Sequence, residues 1–439
     1  MQAATTLNAR PPSMSPATFA RRSTLAIVLL LALAAGLTDR AYAQPSRLPA
    51  FPGAEGFGAV ATGGRGGEVV RVTTLQPFGE GSLGAALDPD QCRPRTVVFT
   101  VSGLIEGDFD LTCGDLTLAG QTAPGAGITI HGRIDGYDAD PGGNLIIRHI
   151  RVRAPEADPD KAHFHDPIQL SNNPVAILDH VTASWGTDET IDLFEGTSDV
   201  TIQWSTIEES RVGGHPDGPD HNYGVIVGPD VPRVSLHHNL FAHHRSRAPA
   251  VAAGPAEVVN NVVYDTQDGF VHHNPAAGEF QIVGNVYRAG PSADLYPLFF
   301  DDEDPGGATY VLRDNLIDDP GRFEGTVDSP DGIDYEGFDG FDGDLPISTQ
   351  GSDFSTESDG YVPITTSSAE DVIGPVLARA GAFPRDATTV RTILEVENRE
   401  GGWGADEPDD LTAGLTAGDP PADADADGLA DDWERANGL

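Results

Sequence analysis

The sequence predicts an all-β chain wound as a parallel β-helix, a solenoid with long loops on one face. Short runs of β-branched and other apolar residues recur through the middle of the chain, each interrupted by a polar residue. No ten-residue amphipathic helix separates consecutive runs, so an alternating strand–helix sheet does not fit. The excess residues between runs vary in number, as they do when a stacked coil carries insertions on one side.

The runs cover residues 146–152, 175–181, 200–207, 234–241, 258–264, 280–287 and 310–317. Aligning their polar residue gives His149, His180, Ser205, Asn239, Asn261, Asn285 and Asn315, with spacings of 31, 25, 34, 22, 24 and 30 residues. A floor near 22 with variable excess is the solenoid signature. The runs are too short and too β-branched for helices. Asparagine tolerates the left-handed geometry of a repeated bend, and its amides can stack into a ladder on successive coils. An antiparallel β-sandwich is the alternative that the pattern leaves open. The longest insertion, Glu208 to Val231, contains His215, Asp217, Asp220 and His221.

The ends read differently. Arg10, Arg21 and Arg22 open the chain, an apolar run follows from Leu25 to Leu37, and Ala41-Tyr42-Ala43 matches the small-x-small cleavage rule. Residues 1–43 are therefore expected to be a signal peptide, Gln44 the mature start, and the protein secreted, extracellular or periplasmic. Export permits a bridge between the two cysteines, Cys92 and Cys113; two unpaired buried thiols are the alternative. The net charge is −42 and Lys161 is the lone lysine, which excludes nucleic acid and anionic membrane as partners. The protein is expected to act as a monomer. The β-helix domain is expected to span 44–404, followed by an acidic linker of Ala, Asp, Gly and Pro over 405–422. Residues 423–439 then carry Asp423, Asp425, Asp427, Gly428, Asp431 and Glu434 at the spacing of an EF-hand calcium loop, against which stands a merely solvated acidic tail.

Each coil has a second strand: Ile168-Gln169-Leu170, Ile191-Asp192-Leu193, Val225-Ile226-Val227, and the place of Val251. Neighbouring parallel strands lie about 4.8 Å apart. Asp166 and Asp192 are 26 residues apart, about one coil, and Asp188 precedes the second strand. Three carboxylates so close repel unless a cation lies between them, and oxygen-only ligands on an exported protein point to calcium. Arg247 leads into the fourth strand, about 10 Å further along the same face. Beside a calcium site it reads as a second grip on one anionic substrate. The plain alternative is that these are unrelated surface charges.

Several blocks resemble the secreted pectate lyases of polysaccharide lyase family 1. They are Phe51-Pro52-Gly53-Ala54-Glu55-Gly56-Phe57-Gly58-Ala59 with Gly63-Gly64-Arg65-Gly66-Gly67, then Gly81-Ser82-Leu83, Val97 to Gly103, and Leu118 to Gly125. Leu178 to Glu189, His237 to His244 and Arg247-Ala248-Pro249 follow in order, so the likeness spans roughly residues 50 to 400. It implies a right-handed parallel β-helix, calcium held by Asp166, Asp188 and Asp192, and Arg247 as the catalytic base. The substrate implied is polygalacturonate, the pectin polysaccharide, cleaved by β-elimination to 4,5-unsaturated oligogalacturonates. Calcium then neutralises the charge that builds on the uronate when its C5 proton leaves.

The chain departs from the family twice. A second arginine, frequent five places after the catalytic one, is Ala252 here, and a substrate-contacting lysine aligns near Tyr223. Arg245, Arg211, His215 or His221 are the expected replacements. Two other readings are a non-catalytic carbohydrate-binding β-helix and a polygalacturonase-type hydrolase. The hydrolases resemble one another in carrying Asn-Thr-Asp and Gly-His-Gly blocks, neither of which occurs here.

Overall fold

The computed structural model describes residues 48–437 except 138, 140–141, 158–163, 217, 219–220, 273–275, 299–306, 329–346, 349, 357–359 and 425–430. The expected signal segment, residues 1–43, lies outside the described residues. So do Asp425 and Asp427 and the side chain of Glu434. No helix among the described residues is long and apolar enough to cross a membrane.

The chain is a right-handed parallel β-helix. One coil reads Ala176–Asp179, Thr182–Ser184, Ile191–Phe194, then Val200–Gln203 stacked on the first strand. Repetition of this path builds sheets of 11, 10 and 6 strands. Among the described residues the sheets have one antiparallel pair, Asn315–Asp319 with Phe323–Val327, on the last coil of the ten-stranded sheet. The core is the inward row of each strand: Leu145, Ala176, Val200 and Val234 from one sheet, Ile168, Ile191 and Val225 from another. The long insertions join the ten-stranded sheet to the six-stranded one, as Glu208 to Val225 shows, so they gather along one edge.

The bend between the eleven- and ten-stranded sheets uses two consecutive residues with different jobs. The first is left-handed and turned outward: His149, His180, Trp204, His238, Asn260 and Asp314, with φ between 48° and 55°. The second is buried. Ser205, Asn239, Asn261, Asn285 and Asn315 occupy it, and each asparagine accepts from the backbone N–H of the residue one coil earlier at 2.9–3.2 Å. The amide of Asn261 also donates to Leu236 O and Asn285 Oδ1. The expected alignment is therefore one place out for His149 and His180. They belong to the outward row, where their rings stack 4.7 Å apart, while Ile150 and Val181 fill the inward row as apolar residues can.

Two further segments close the structure. The block around Phe57 lies across the eleven-stranded sheet, with the Gly58 N–H donating to Thr201 Oγ1. A Cβ at Gly58 would stand 2.1 Å from Ala176 O, so only glycine permits that approach. The helix Ala387–Asn398 starts at Asp386, which caps Thr389 and pairs with buried Arg153 at 2.7 Å. The same helix brings Glu395 to His243, whose other ring nitrogen meets Asp265 at 2.9 Å.

Residues 405–422 are not a free linker. Glu407 bonds His131 at 2.8 Å and Arg211 at 3.3 Å, Leu411 is buried, and Ala413 O accepts from Ala387 N. Asp423, expected as a calcium ligand, pairs with Arg71 at 2.6 Å, and Asp431 accepts from Ala424 N. Paired carboxylates and an apolar anchor hold this acidic stretch against the coils. The Cys92–Cys113 disulfide is formed.

Two measurements test this account. Asn261→Ala leaves several buried polar groups unpaired and should cost about 3 kcal/mol in urea unfolding. Burial alone would lower the proton affinity of His243, but Asp265 and Glu395 outweigh it and raise its pKa to about 9. A raised histidine pKa stabilises fully below about 6.5 and is lost as pH climbs through the folded value. Burial pushes Glu209 up to about 7, which acts in the same direction. The midpoint of thermal unfolding should therefore fall between pH 6.5 and 9.5, and His243→Gln should flatten the upper part of that fall.

Candidate active site

The six-stranded sheet presents its outward row to solvent. In register across successive coils this row reads Asp110, Asp135, Gln169, Asp192, Ile226 and Ala250. Inward residues on either side, such as Ile191 and Leu193, are core, so strand alternation forces Asp192 out. The coil between Ile168 and Ile191 is 23 residues long. Asp192 therefore lies beside Gln169, whose Nε2 donates to it at 3.1 Å. Asp166 stands beside Glu189 rather than Asp192, and accepts from the Glu189 N–H at 2.7 Å.

Asp166, Glu189 and Asp192 still converge, with one carboxylate oxygen from each within 4.8 Å of the others. Asp166 and Glu189 are buried, and Asp192 is half-buried. Burial and the neighbouring charges of Asp192 and Asp188 raise the Asp166 pKa well above the usual range. Burial and Asp188 raise that of Asp192 to about 7. Asp192 Oδ1 is buried and accepts no hydrogen bond among the described residues. Glu189 was not singled out in the sequence. Pairing Ile168 with Ile191 and Leu170 with Leu193 fixes the coil length, and counting back from that pairing puts Glu189 next to Asp166.

Arg247 closes the group from the far coil. It has a left-handed backbone, φ 60°, and its guanidinium lies over the Tyr223 ring at 4.0 Å. Its Nη1 is ion-paired with Glu189 Oε1. Burial lowers its pKa to about 10, against the pull of Asp188 and Asp166. Tyr223 and Arg247 thus fit as a stacked pair. Arg133 reaches in from the other side and donates to Asp166 O at 3.0 Å.

Asp188, Glu189, Asp192, His215, His221 and Arg247 line one open cleft of about 380 Å³. Asp188 is turned toward His215 and His221, at 3.9 and 3.8 Å. Arg245 lines the adjoining hollow with Tyr223, Arg247, Asp268 and His272. Arg211 is not brought to the cleft. Its Nη2 serves Ala154 O and Glu407, so the C-terminal segment occupies it. Ala252 is buried and its N–H donates to Val227 O.

No family model matches the chain. It is 33% identical over 402 residues to a protein of Aspergillus flavus named probable pectate lyase C, covering 90% of this chain and 88% of that one. A protein of the same name in Emericella nidulans is 34% identical over 398 residues, covering 89% and 86%. Among solved structures, a pectate lyase from Bacillus sp. N165 in complex with trigalacturonate matches with a TM-score of 0.46 at 13% identity, over 75% of this chain and 98% of that one.

Removing one member of a buried ion pair strands the other charge. Glu189→Gln should therefore destabilise the fold by about 3 kcal/mol in denaturant unfolding. Glu189→Gln combined with Arg247→Gln should cost less than the two single changes together.

Proposed function

This chain belongs to the pectate lyase family, and on that premise we propose that Arg247 and the carboxylates of Asp166, Asp188, Glu189 and Asp192 carry out its β-elimination with calcium. The enzyme is a polysaccharide lyase and its substrate is polygalacturonate. The observation behind the residue assignment is the convergence of Asp166, Glu189 and Asp192 beside a cleft that Asp188, Glu189, Asp192 and the half-buried Arg247 line.

The donor set suits calcium. Every ligand offered by Asp166, Glu189 and Asp192 is a carboxylate oxygen. Asp192 Oδ1 is buried without a hydrogen-bond partner among the described residues, which is costly unless a cation takes it. Asp166, Glu189 and Asp192 would hold calcium here, and the ion would supply the positive charge that offsets the second negative charge formed on the uronate as C5 loses its proton.

The residues do the rest. Arg247 takes the C5 proton. A free arginine is a poor base, and burial in the cleft moves its pKa down to about 10. Tyr223 keeps its guanidinium flat, and Glu189 anchors it. Glu189 faces both Arg247 and the other two acids, so one carboxylate decides how tightly the base is held. Arg245, His215 and His221 line the cleft and its adjoining hollow, where the polymer's other carboxylates pass, and they are the substrate-binding residues of this reading. Arg211 is not among them, because Glu407 holds it. We read the protein as exported and monomeric; a disulfide at Cys92–Cys113 supports an oxidising compartment. The tail stretch 423–439 is kept as a second calcium loop on its spacing alone.

Incubation with polygalacturonate and calcium should release product absorbing in the near ultraviolet; reducing ends without that absorbance would mean hydrolysis. A chelator should abolish the reaction and added calcium restore it. Arg247→Lys should lower kcat by about 10²–10⁴-fold and change KM little. Near-normal turnover in Arg247→Lys would assign the base elsewhere.

A further inference from the structure

Asp188 faces away from the oxygen cluster toward the long loop. There His215 and His221 bring both of their Nε2 atoms toward the same Asp188 Oδ1, at 3.9 and 3.8 Å. The two imidazoles lie face to face, 3.6 Å between centroids and 16° between planes. The His215 side chain is 2% exposed, while His221 and Asp188 keep 20% and 21%, so the group is backed by protein and open to the cleft. One ligand atom from each of the three lies within 4.8 Å of the others.

Two imidazole nitrogens and one carboxylate oxygen are the donor set of borderline first-row metals, whereas calcium takes oxygen alone. A tetrahedral ion with bonds of about 2.1 Å holds its ligands roughly 3.4 Å apart. The three ligand atoms lie within 4.8 Å of one another, and the stacked imidazoles must turn apart by a side-chain rotation for both nitrogens to face one ion. Three protein ligands leave one coordination position, which faces the cleft. We propose that Asp188, His215 and His221 form a binding site for a divalent first-row transition metal ion such as zinc or cobalt, beside the oxygen-only group of Asp166, Glu189 and Asp192. The site shares Asp188 with the calcium reading above, but it adds two nitrogen donors and takes a different ion, and its binding is read without activity, so the failure of one reading is distinguishable from the failure of the other.

Cobalt(II) titrated into the calcium-free full chain tests it. Four- and five-coordinate cobalt with nitrogen ligands absorbs visible light far more strongly than the six-coordinate ion in water, so binding is read directly without activity. One equivalent should develop the strong band. His221→Gln, at the more exposed ligand, should weaken binding by at least about 10-fold, and Asp188→Asn should do the same. Asp192→Asn, in the oxygen group, should keep the band. His180→Gln should keep it too, although His180 sits in another histidine–aspartate cluster with His149 and Asp179. Circular dichroism confirms that each variant is folded. A band that survives His221→Gln unchanged, or that disappears in His180→Gln instead, overturns the site; so does the absence of any strong band in the unaltered protein.

Discussion

Each coil must return to within about 4.8 Å of the last, and the two-residue bend beside the eleven-stranded sheet enforces this. Its left-handed first residue reverses the chain in a single step, and its buried second residue is tied to the coil before and the coil after. Asn239, Asn261 and Asn285 each accept from one backbone N–H and donate to a carbonyl, so a slip of one residue would leave several buried groups unpaired. The amide row therefore holds the register on one edge. The register on that edge then dictates which side chains meet on the opposite sheet, where the acids stand.

That constraint explains why a chain of net charge −42 can gather four carboxylates at one place. The pairing of Ile168–Ser171 with Ile191–Phe194 positions Asp192 and, just ahead of those strands, Asp166, Asp188 and Glu189, and the electrostatic cost is partly met locally. Arg247 pairs with Glu189 and Gln169 donates to Asp192, while burial and the neighbouring acids raise the pKa values of Asp166 and Asp192 above the usual carboxylate range. Arg247 in turn is poised by burial and by the Tyr223 ring. A fold whose register is fixed by buried hydrogen bonds can hold such a set of like charges close together.

The outer layer serves the same end. The helix Ala387–Asn398 and the acidic stretch after it cover the ten-stranded sheet and its margins with ion pairs. Buried Arg153 meets Glu208 and Asp386, His243 meets Asp265 and Glu395, and Glu407 meets His131 and Arg211. Asp386, Glu395 and Glu407 come from the far end of the chain. They turn what composition marks as a linker into packed structure, and they withdraw Arg211 from the cleft.

The period of apolar runs and their polar punctuation determine the solenoid, because strand alternation and coil length are local properties written every 22 to 34 residues. The asparagine row and the long loops on one edge were legible for the same reason, and the cysteine pair because the chain has just two cysteines. Tertiary structure alone decided the pairings. Glu189 sits beside Asp166 because that particular coil is 23 residues long, a length hidden inside loops of unequal size. His149 and His180 point outward because the bend has two residues, which polar character cannot distinguish. Arg211 is occupied and Asp188 faces two histidines because residues distant in the chain arrive there, and charge on a string carries no record of which partner will reach it first.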